Sequence, residues 1–140
     1  MATKALDSWA LLAFFEDEPA AEVVEKLLTK ADQGTHKLLL SVVNWGEVYY
    51  NTIRKVSLEA AEQKAKEMAI MPIELVPVGT DLEVVRQAAL YKASGKLAYA
   101  DAFAAALAKL RHAELITGDP DFKAVEGEIK IGWLRGTSGG

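Results

Sequence analysis

Short apolar runs alternate with longer helix-forming segments along almost the whole of this chain, and this alternation limits the folds open to it. Between the runs, apolar residues such as Val23, Val24, Leu27 and Leu28 recur at a helical spacing. Strands separated by helices pair in parallel, because the chain crosses back over the sheet between them. The pattern predicts an α/β fold, a parallel sheet of about four to five short strands between two layers of helices. The predicted strands are 5–6, 37–40, 73–78, 115–117 and 129–131.

The residue types exclude several kinds of site. The 140 residues include no cysteine and two histidines, which excludes a disulfide framework, a thiolate zinc site and a multi-histidine metal site. The length suits one domain, over 1–135, and we expect 136–140 to be a flexible tail. No apolar run approaches the ~20 residues of a membrane span, and residues 1–10 lack the layout of a signal peptide. We therefore expect a cytoplasmic protein without a membrane partner.

Cap residues place the starts of the helices. Ser41 and Ser57 predict two of them, and Pro19 predicts a third by standing at a first helical position. A further helix is expected to begin at Thr80 or Asp81. An alanine-dominated helix is predicted over 99–111.

Four carboxylates differ from the other acidic residues, because each lies in an apolar segment without a basic residue in its immediate helical neighbourhood. They are Asp7, Glu47, Asp101 and Asp119. Asp7 and Asp119 directly follow predicted strands, so they are expected at the carboxyl edge of the sheet, where sites form in such folds. Buried charges that lack partners are costly, so this cluster needs a counter-charge. Oxygen-only ligands select a hard cation such as Mg²⁺ or Mn²⁺.

Three of these carboxylates also have a local structural interpretation. Asp7 and Asp119 are each placed to cap a following helix, and Asp101 lies near a helix start, where the dipole favours negative charge. Glu47 has no such alternative, because it lies about two turns inside a helix, close to Trp45 and Tyr49.

Four segments, in this order, resemble the PIN-domain ribonuclease family, and the likeness is close to the VapC toxins of prokaryotic toxin–antitoxin pairs. The segments are LDSWALL from residue 6, SVVNWGEV from residue 41, ADAFAAA from residue 100 and LITGDPDF from residue 115. The resemblance spans about residues 4–134. It implies a PIN-like three-layer α/β/α domain that hydrolyses RNA phosphodiester bonds with Mg²⁺ or Mn²⁺. Its catalytic and metal-binding residues would be Asp7, Glu47, Asp101 and Asp119.

The resemblance adds residues around this set. Asp121 is implied as a further metal ligand, ranked below Asp119. Ser8 and Thr117 stand where the family often has a small hydroxyl beside the site, which would orient a carboxylate. Their structural alternative is a helix cap or a strand-end hydroxyl.

An RNA substrate would require basic groups near an acidic pocket. Tyr50 and Tyr99 are interpreted as core aromatics, with base stacking as the alternative. Surface lysines and arginines are usually only solvated charges, but those nearest the motifs are weak RNA-binding candidates: Arg54, Lys55, Lys92, Lys96 and Lys123.

Three functions remain open. The first is an endoribonuclease toxin restrained by a cognate VapB-like antitoxin that docks near 11–15 and 48–50. The second is a PIN nuclease of RNA processing without an antitoxin, and the third is a non-catalytic module that binds an ion or a partner. A phosphotransferase of the haloacid-dehalogenase type is disfavoured, since Ser8-Trp9 follow Asp7 where Asp-x-Asp is expected. The resemblance also implies a homodimer, which we expect to form through the helices of 57–93.

Overall fold

A parallel five-stranded sheet forms the centre of the molecule. The computed structural model describes residues 1–95 and 97–134. The strand order is β3-β2-β1-β4-β5, and each neighbouring pair is parallel. The predicted α/β class and the number of strands are confirmed. The strands are β1 (Ala2–Leu6), β2 (His36–Ser41), β3 (Glu74–Val76), β4 (Glu114–Thr117) and β5 (Ile131–Trp133).

Helices cover both faces of this sheet. None of those within the described residues has the length and apolar character needed to cross a membrane. The helices are α1 (Ser8–Phe15), α2 (Ala21–Asp32), α3 (Val42–Lys55), α4 (Leu58–Ala69), α5 (Glu83–Ala93) and α6 (Tyr99–Leu110), and a short 3₁₀ helix follows β4 (Pro120–Val125).

Successive strand residues alternate between two hydrophobic cores, because side chains along a strand point to opposite faces. Ala5 and Leu39 pack with α5 and the alanine-rich α6 on one face. Leu6 and Leu40 pack on the other face with α1, α2 and buried residues of α3 and α4. The many alanines of α6 allow this helix to be buried along almost its entire length.

The strand order reverses between β1 and β4. The chain builds outward from β1 through β2 to β3, then returns to add β4 and β5 on the other side of β1. Such a reversal opens a crevice outside the carboxyl ends of the two central strands, where ligands bind in open α/β sheets. In the register of this pair Leu6 lies beside Ile116, so the next residues, Asp7 and Thr117, meet at that crevice.

Several predicted boundaries were wrong by a few residues. Helix α2 begins at Ala21 rather than at Pro19, because residues 18–21 form a tight turn in which the amide of Ala21 donates to the carbonyl of Glu18 at 2.8 Å. Helix α5 begins at Glu83 rather than at 80–81, since Leu82 adopts a left-handed φ of 67° that interrupts any earlier helical turn.

Three predicted strands also differ from the observed ones by more than one residue. Strand β1 begins at Ala2, three residues before its predicted start. Strand β3 is shorter than the predicted 73–78. The last strand is Ile131–Trp133 rather than 129–131, because the amide of Ile129 is used in a turn, where it donates to the carbonyl of Val125. Ile129 is apolar because it is buried in the core and not because it belongs to a strand. The expected tail at 136–140 lies outside the described residues.

Candidate active site

Asp7 is the most buried carboxylate of the candidate site. It stands at the end of β1, 1% exposed, and its Oδ1 caps α1 by accepting from the amide of Ala10 at 2.9 Å. Its Oδ2 accepts from the hydroxyl of Thr117 at 2.5 Å, and that hydroxyl also accepts from the amide of Asp119 at 3.0 Å. Thr117 therefore joins the acidic ends of β1 and β4. Asp7 can cap α1 and also belong to the acidic cluster, because a carboxylate has about four acceptor positions.

Glu47 is held from a different side. The half-buried carboxylate lies on α3, which begins at the carboxyl end of β2 with the hydroxyl of Ser41 accepting from the amide of Val43. The hydroxyl of Ser8, at the start of α1, donates to the Glu47 carboxylate. Both hydroxyls that the sequence singled out thus donate to acidic side chains of the predicted set.

Three carboxylates form the tightest group. One oxygen from each of Asp101, Asp119 and Asp121 lies within 4.8 Å of the others. Asp101 is in the first turn of α6 and is 8% exposed. Asp119 caps the 3₁₀ helix by accepting from the amide of Asp121 at 3.0 Å, which brings the exposed Asp121 beside it. The sequence ranks Asp121 below Asp119 as a ligand, but in the structure both have an oxygen within 4.8 Å of one of Asp101.

Burial and mutual repulsion alter the acidity of two of these groups. Burial raises the pKa of Asp7 to about 7, even though hydrogen bonds from Thr117 and Ala10 lower it. Burial also raises the pKa of Asp101 to about 7, and the negative charges of Asp119, Glu47 and Asp121 raise it further. Strongly shifted pKa values in a crevice are typical of functional sites.

Among the described residues, none of these carboxylates forms an ion pair. The ion pairs within residues 1–95 and 97–134 all involve other acidic residues. The grouped ligand atoms are carboxylate oxygens, which suit a hard divalent ion such as Mg²⁺ or Mn²⁺. The donor set therefore fits the implied metal, with Asp101, Asp119 and Asp121 placed to hold it and with Asp7 and Glu47 bordering them.

A contact between Trp9 and Gly118 was not foreseen from the sequence. The indole of Trp9 lies directly against Gly118, and a Cβ at that position would overlap the ring. The structure therefore requires glycine at this position for space. The pairing joins α1 to the segment that carries Asp119, and its sequence signal is a glycine between a strand and an aspartate.

The described basic residues proposed to bind RNA lie in different parts of the structure and do not share one surface. Arg54 lies on α3 seven residues beyond Glu47, about 10 Å further from the sheet edge, and Lys55 pairs with Glu16 at 3.6 Å. The ammonium of Lys92 donates to the carbonyl of Leu97 at 3.1 Å, so it holds the loop before α6.

Lys123 lies on the 3₁₀ helix, two residues after Asp121. With Ser94, Asp121 and Ala124 it lines an open groove of about 550 Å³. Lys96 lies outside the described residues. Tyr50 and Tyr99 are 46% and 47% exposed, so the expectation that both fill the core was wrong. Tyr99 precedes Asp101 by two residues and packs edge-on against Phe103.

This combination defines a class of protein: a parallel α/β domain with an acidic cluster where its strand order reverses. The model of the PIN domain family matches residues 4–128, and the chain belongs to that family. Membership of this nuclease family supports a hydrolase. No curated protein matches the sequence.

Solved structures of similar fold come from toxin–antitoxin systems. VapBC2 from Rickettsia felis, bound to a DNA fragment from its promoter, has a chain that aligns with a TM-score of 0.71 at 14% identity, over 95% of this chain and 99% of that one. DNA-bound VapBC from Salmonella typhimurium gives 0.69 at 14% identity, over 94% and 98%. VapC20 from Mycobacterium tuberculosis, a toxin that cleaves the sarcin-ricin loop, gives 0.67 at 17% identity, over 91% and 98%. At these identities the likeness shows the fold.

Proposed function

We propose that this protein is an Mg²⁺- or Mn²⁺-dependent endoribonuclease that acts in the cytoplasm as the toxin of a VapBC-type pair. The observation that carries the proposal is the convergence of Asp101, Asp119 and Asp121 oxygens within 4.8 Å of one another. Family membership supports the nuclease class. Neighbours of the same fold that were solved as VapBC complexes support the toxin role.

Each residue of the site has a separate task in this proposal. Asp101, Asp119 and Asp121 hold the ion, with Asp7 and Glu47 completing the negative field around it. When bound, the ion supplies charge to screen the phosphate, to lower the pKa of an attacking water and to stabilise the leaving oxygen. Thr117 and Ser8 fix the carboxylates of Asp7 and Glu47 by donating to them.

The groove beside the cluster is the proposed path of the RNA. Lys123 lines it next to Asp121, where an ammonium would meet the phosphate that follows the cleaved bond. The half-exposed ring of Tyr99, at the start of α6, is placed to stack on a base. Attack of water on the phosphorus with departure of the 3′-oxygen would leave a 5′-phosphate on one product and a 3′-hydroxyl on the other, which is the expected outcome.

Two protein partners belong to the proposal. The half-buried Phe14 and Phe15 on α1 provide an apolar surface for an antitoxin, whereas Leu11 and Val48 are fully buried and belong to the core. A homodimer through the region 57–93 is supported by large apolar side chains exposed there. These are Leu58, Ile70, Leu75, Leu82 and Leu90.

The first test is cleavage of a mixed RNA panel by purified protein in Mg²⁺, Mn²⁺ or EDTA. Asp101→Asn removes a central carboxylate, and Asp32→Asn makes the same change at the end of α2, which leads into the opposite edge of the sheet. We expect metal-dependent cleavage by the wild type and by Asp32→Asn, and none by Asp101→Asn. Cleavage that survives EDTA and Asp101→Asn would refute the proposed site. Absence of cleavage with every metal would favour the ion- or partner-binding module.

The toxin assignment has its own test, because a processing nuclease would share the chemistry. Induced expression should arrest growth of the host, and co-expression of the cognate antitoxin should restore it. Growth that continues while the purified protein cleaves RNA would favour the RNA-processing alternative. Light scattering tests the homodimer, and a monomer at high concentration would exclude it.

A further inference from the structure

Asn44 is a buried polar residue that neither the motifs nor the carboxylate cluster accounts for. It lies on α3 and is fully buried, at 0% exposure. Its side-chain Nδ2 donates to the backbone carbonyl of Ala100, on α6, at 3.1 Å. This bond joins two helices through residues that are 56 positions apart in the chain, so it serves tertiary structure and not the local folding of either helix.

The oxygen of the same side-chain amide lacks a hydrogen bond. The Oδ1 of Asn44 is buried and has no hydrogen-bond partner among the described residues. A buried polar atom without a partner is destabilising, and an apolar side chain of similar size would avoid that penalty. An asparagine at this position therefore indicates that the one bond it does make serves a purpose other than stability.

The position of that bond suggests the purpose. Asn44 precedes Glu47 by three residues, about one helical turn, so both lie on the same side of α3. Ala100 directly precedes Asp101 in the first turn of α6. The Asn44 side chain thus links the turn of α3 that carries Glu47 to the turn of α6 that carries Asp101.

Repulsion between the carboxylates of Glu47 and Asp101 acts against the hydrogen bond from Asn44 to Ala100. Glu47 and Asp101 are both acidic, and the described ion pairs provide no cation to separate them. Ser8 fixes the Glu47 side chain from α1, but that contact does not involve α6. The bond from Asn44 to Ala100 directly opposes a movement of α6 away from α3.

We propose that Asn44 is a positioning residue of the metal site, which holds the first turn of α6 against α3 and so sets the separation of the Glu47 and Asp101 carboxylates. The inference rests on the proposed metal-dependent function. It predicts that removal of the Asn44 amide weakens metal binding without a matching loss of stability.

The test compares Asn44→Leu with Thr52→Val. Leucine keeps the branched shape of the side chain and removes both the bond and the unsatisfied oxygen. Thr52 is buried on the same helix, but its hydroxyl donates to Val48 within α3 at 2.9 Å, so Thr52→Val removes a buried hydrogen bond without changing α6. Mn²⁺ affinity is measured by calorimetry, and thermal unfolding is followed in EDTA.

We expect Asn44→Leu to bind Mn²⁺ between about 10- and 100-fold more weakly than the wild type, the usual effect of removing a group that orients metal ligands. Thr52→Val should bind Mn²⁺ as the wild type does. In EDTA, Asn44→Leu should melt no lower than Thr52→Val. Its RNA cleavage should recover as Mn²⁺ is raised, because the ligands remain and only their separation is loosened.

Unchanged Mn²⁺ affinity in Asn44→Leu would overturn the inference, and so would equal weakening in Asn44→Leu and Thr52→Val. If Asn44→Leu does not fold, Asn44→Ser replaces it, because a serine hydroxyl is too short to reach the carbonyl of Ala100. A wild type that binds no Mn²⁺ and cleaves no RNA would refute the proposed function itself. A wild type that does both, beside an Asn44 variant of equal affinity, would refute the positioning role alone.

Discussion

The charge of Asp101 serves the proposed metal site but destabilises the free folded protein. Burial and neighbouring negative charges raise its pKa to about 7, so it is ionised at pH 8 at a cost to the free protein. We predict that Asp101→Asn raises the melting temperature in EDTA at pH 8 by roughly 3–6 °C, and that it weakens Mn²⁺ binding. At pH 5 the stabilisation should disappear, because the wild-type carboxyl is then protonated.

Differential scanning calorimetry at both pH values measures this effect, with Asp32→Asn as the charge-matched control. An unchanged or lower melting temperature for Asp101→Asn at pH 8 would indicate that Asp101 is a structural residue of the first turn of α6.

Burial raises the pKa of the acidic residues, whereas the hydrogen bond from Thr117 lowers the pKa of Asp7. Its buried hydroxyl donates to Asp7 and accepts from the amide of Asp119, so Thr117→Val removes a partner from the buried Asp7 carboxylate and from the half-buried amide of Asp119. We predict a loss of roughly 1–3 kcal/mol in the free energy of unfolding and a lower affinity for Mn²⁺. Urea denaturation and calorimetry test this, and Thr117→Ser, which keeps the hydroxyl, should retain most of both properties. If Thr117→Val matched Thr117→Ser, the hydroxyl would have no part in the site.

At the scale of elements, the contact of Trp9 with Gly118 fixes α1 against the segment after β4. Gly118→Ala would place a methyl group within the indole, and such overpacking typically costs about 1–3 kcal/mol. We predict this loss in urea denaturation, and we expect Gly118→Ala to cost little further stability in a Trp9→Ala background, because the overlapping ring is then absent. Gly46→Ala on α3 is the contrast, because its Cβ would meet nothing within 4 Å and should stabilise the helix. A tolerated Gly118→Ala in the presence of Trp9 would mean that the indole yields readily.

The elements also show what the sequence was able to predict. Helices whose starts were inferred from Ser41 and Ser57 begin where expected, because a hydroxyl that accepts from a backbone amide is a local signal. The helix predicted from Thr80 or Asp81 starts later, since nothing nearby in the sequence signals the left-handed backbone of Leu82. Ile129 was misassigned because burial in a turn and burial in a strand select the same apolar residue.

The candidate site, too, could be predicted from the sequence only in part. Carboxylates in apolar segments were visible in the sequence because they are unusual there, and strand order then places Asp7 beside Thr117. The links between helices were not visible. The bond from Asn44 to Ala100 and the packing of Trp9 on Gly118 each join residues more than 50 positions apart, and only the tertiary fold brings them together.

At the scale of the whole molecule, the reversal of strand order concentrates acidic groups at one edge of the sheet, and stability should therefore depend on pH in a defined way. The pKa of Asp7 and that of Asp101 both rise from 3.8 to about 7 on folding. Between pH 4 and pH 7 the folded protein holds protons that the unfolded chain has released. The free energy of unfolding in EDTA should thus be greatest near pH 4 and fall as the pH rises to 7, by at most about 1.4 kcal/mol per pH unit for each group.

Metal should change this dependence, because the ion binds the ionised carboxylates and competes with protons. We predict that the stabilisation given by saturating Mn²⁺, the difference between urea unfolding with Mn²⁺ and with EDTA, grows from pH 5 to pH 7 and levels off above it. In Asp101→Asn this increase should be smaller, since one titrating ligand is gone. Stability in EDTA that stayed constant or rose between pH 5 and pH 7 would show that Asp7 and Asp101 are not protonated in the folded protein, and that their charges are offset by a means other than a bound metal.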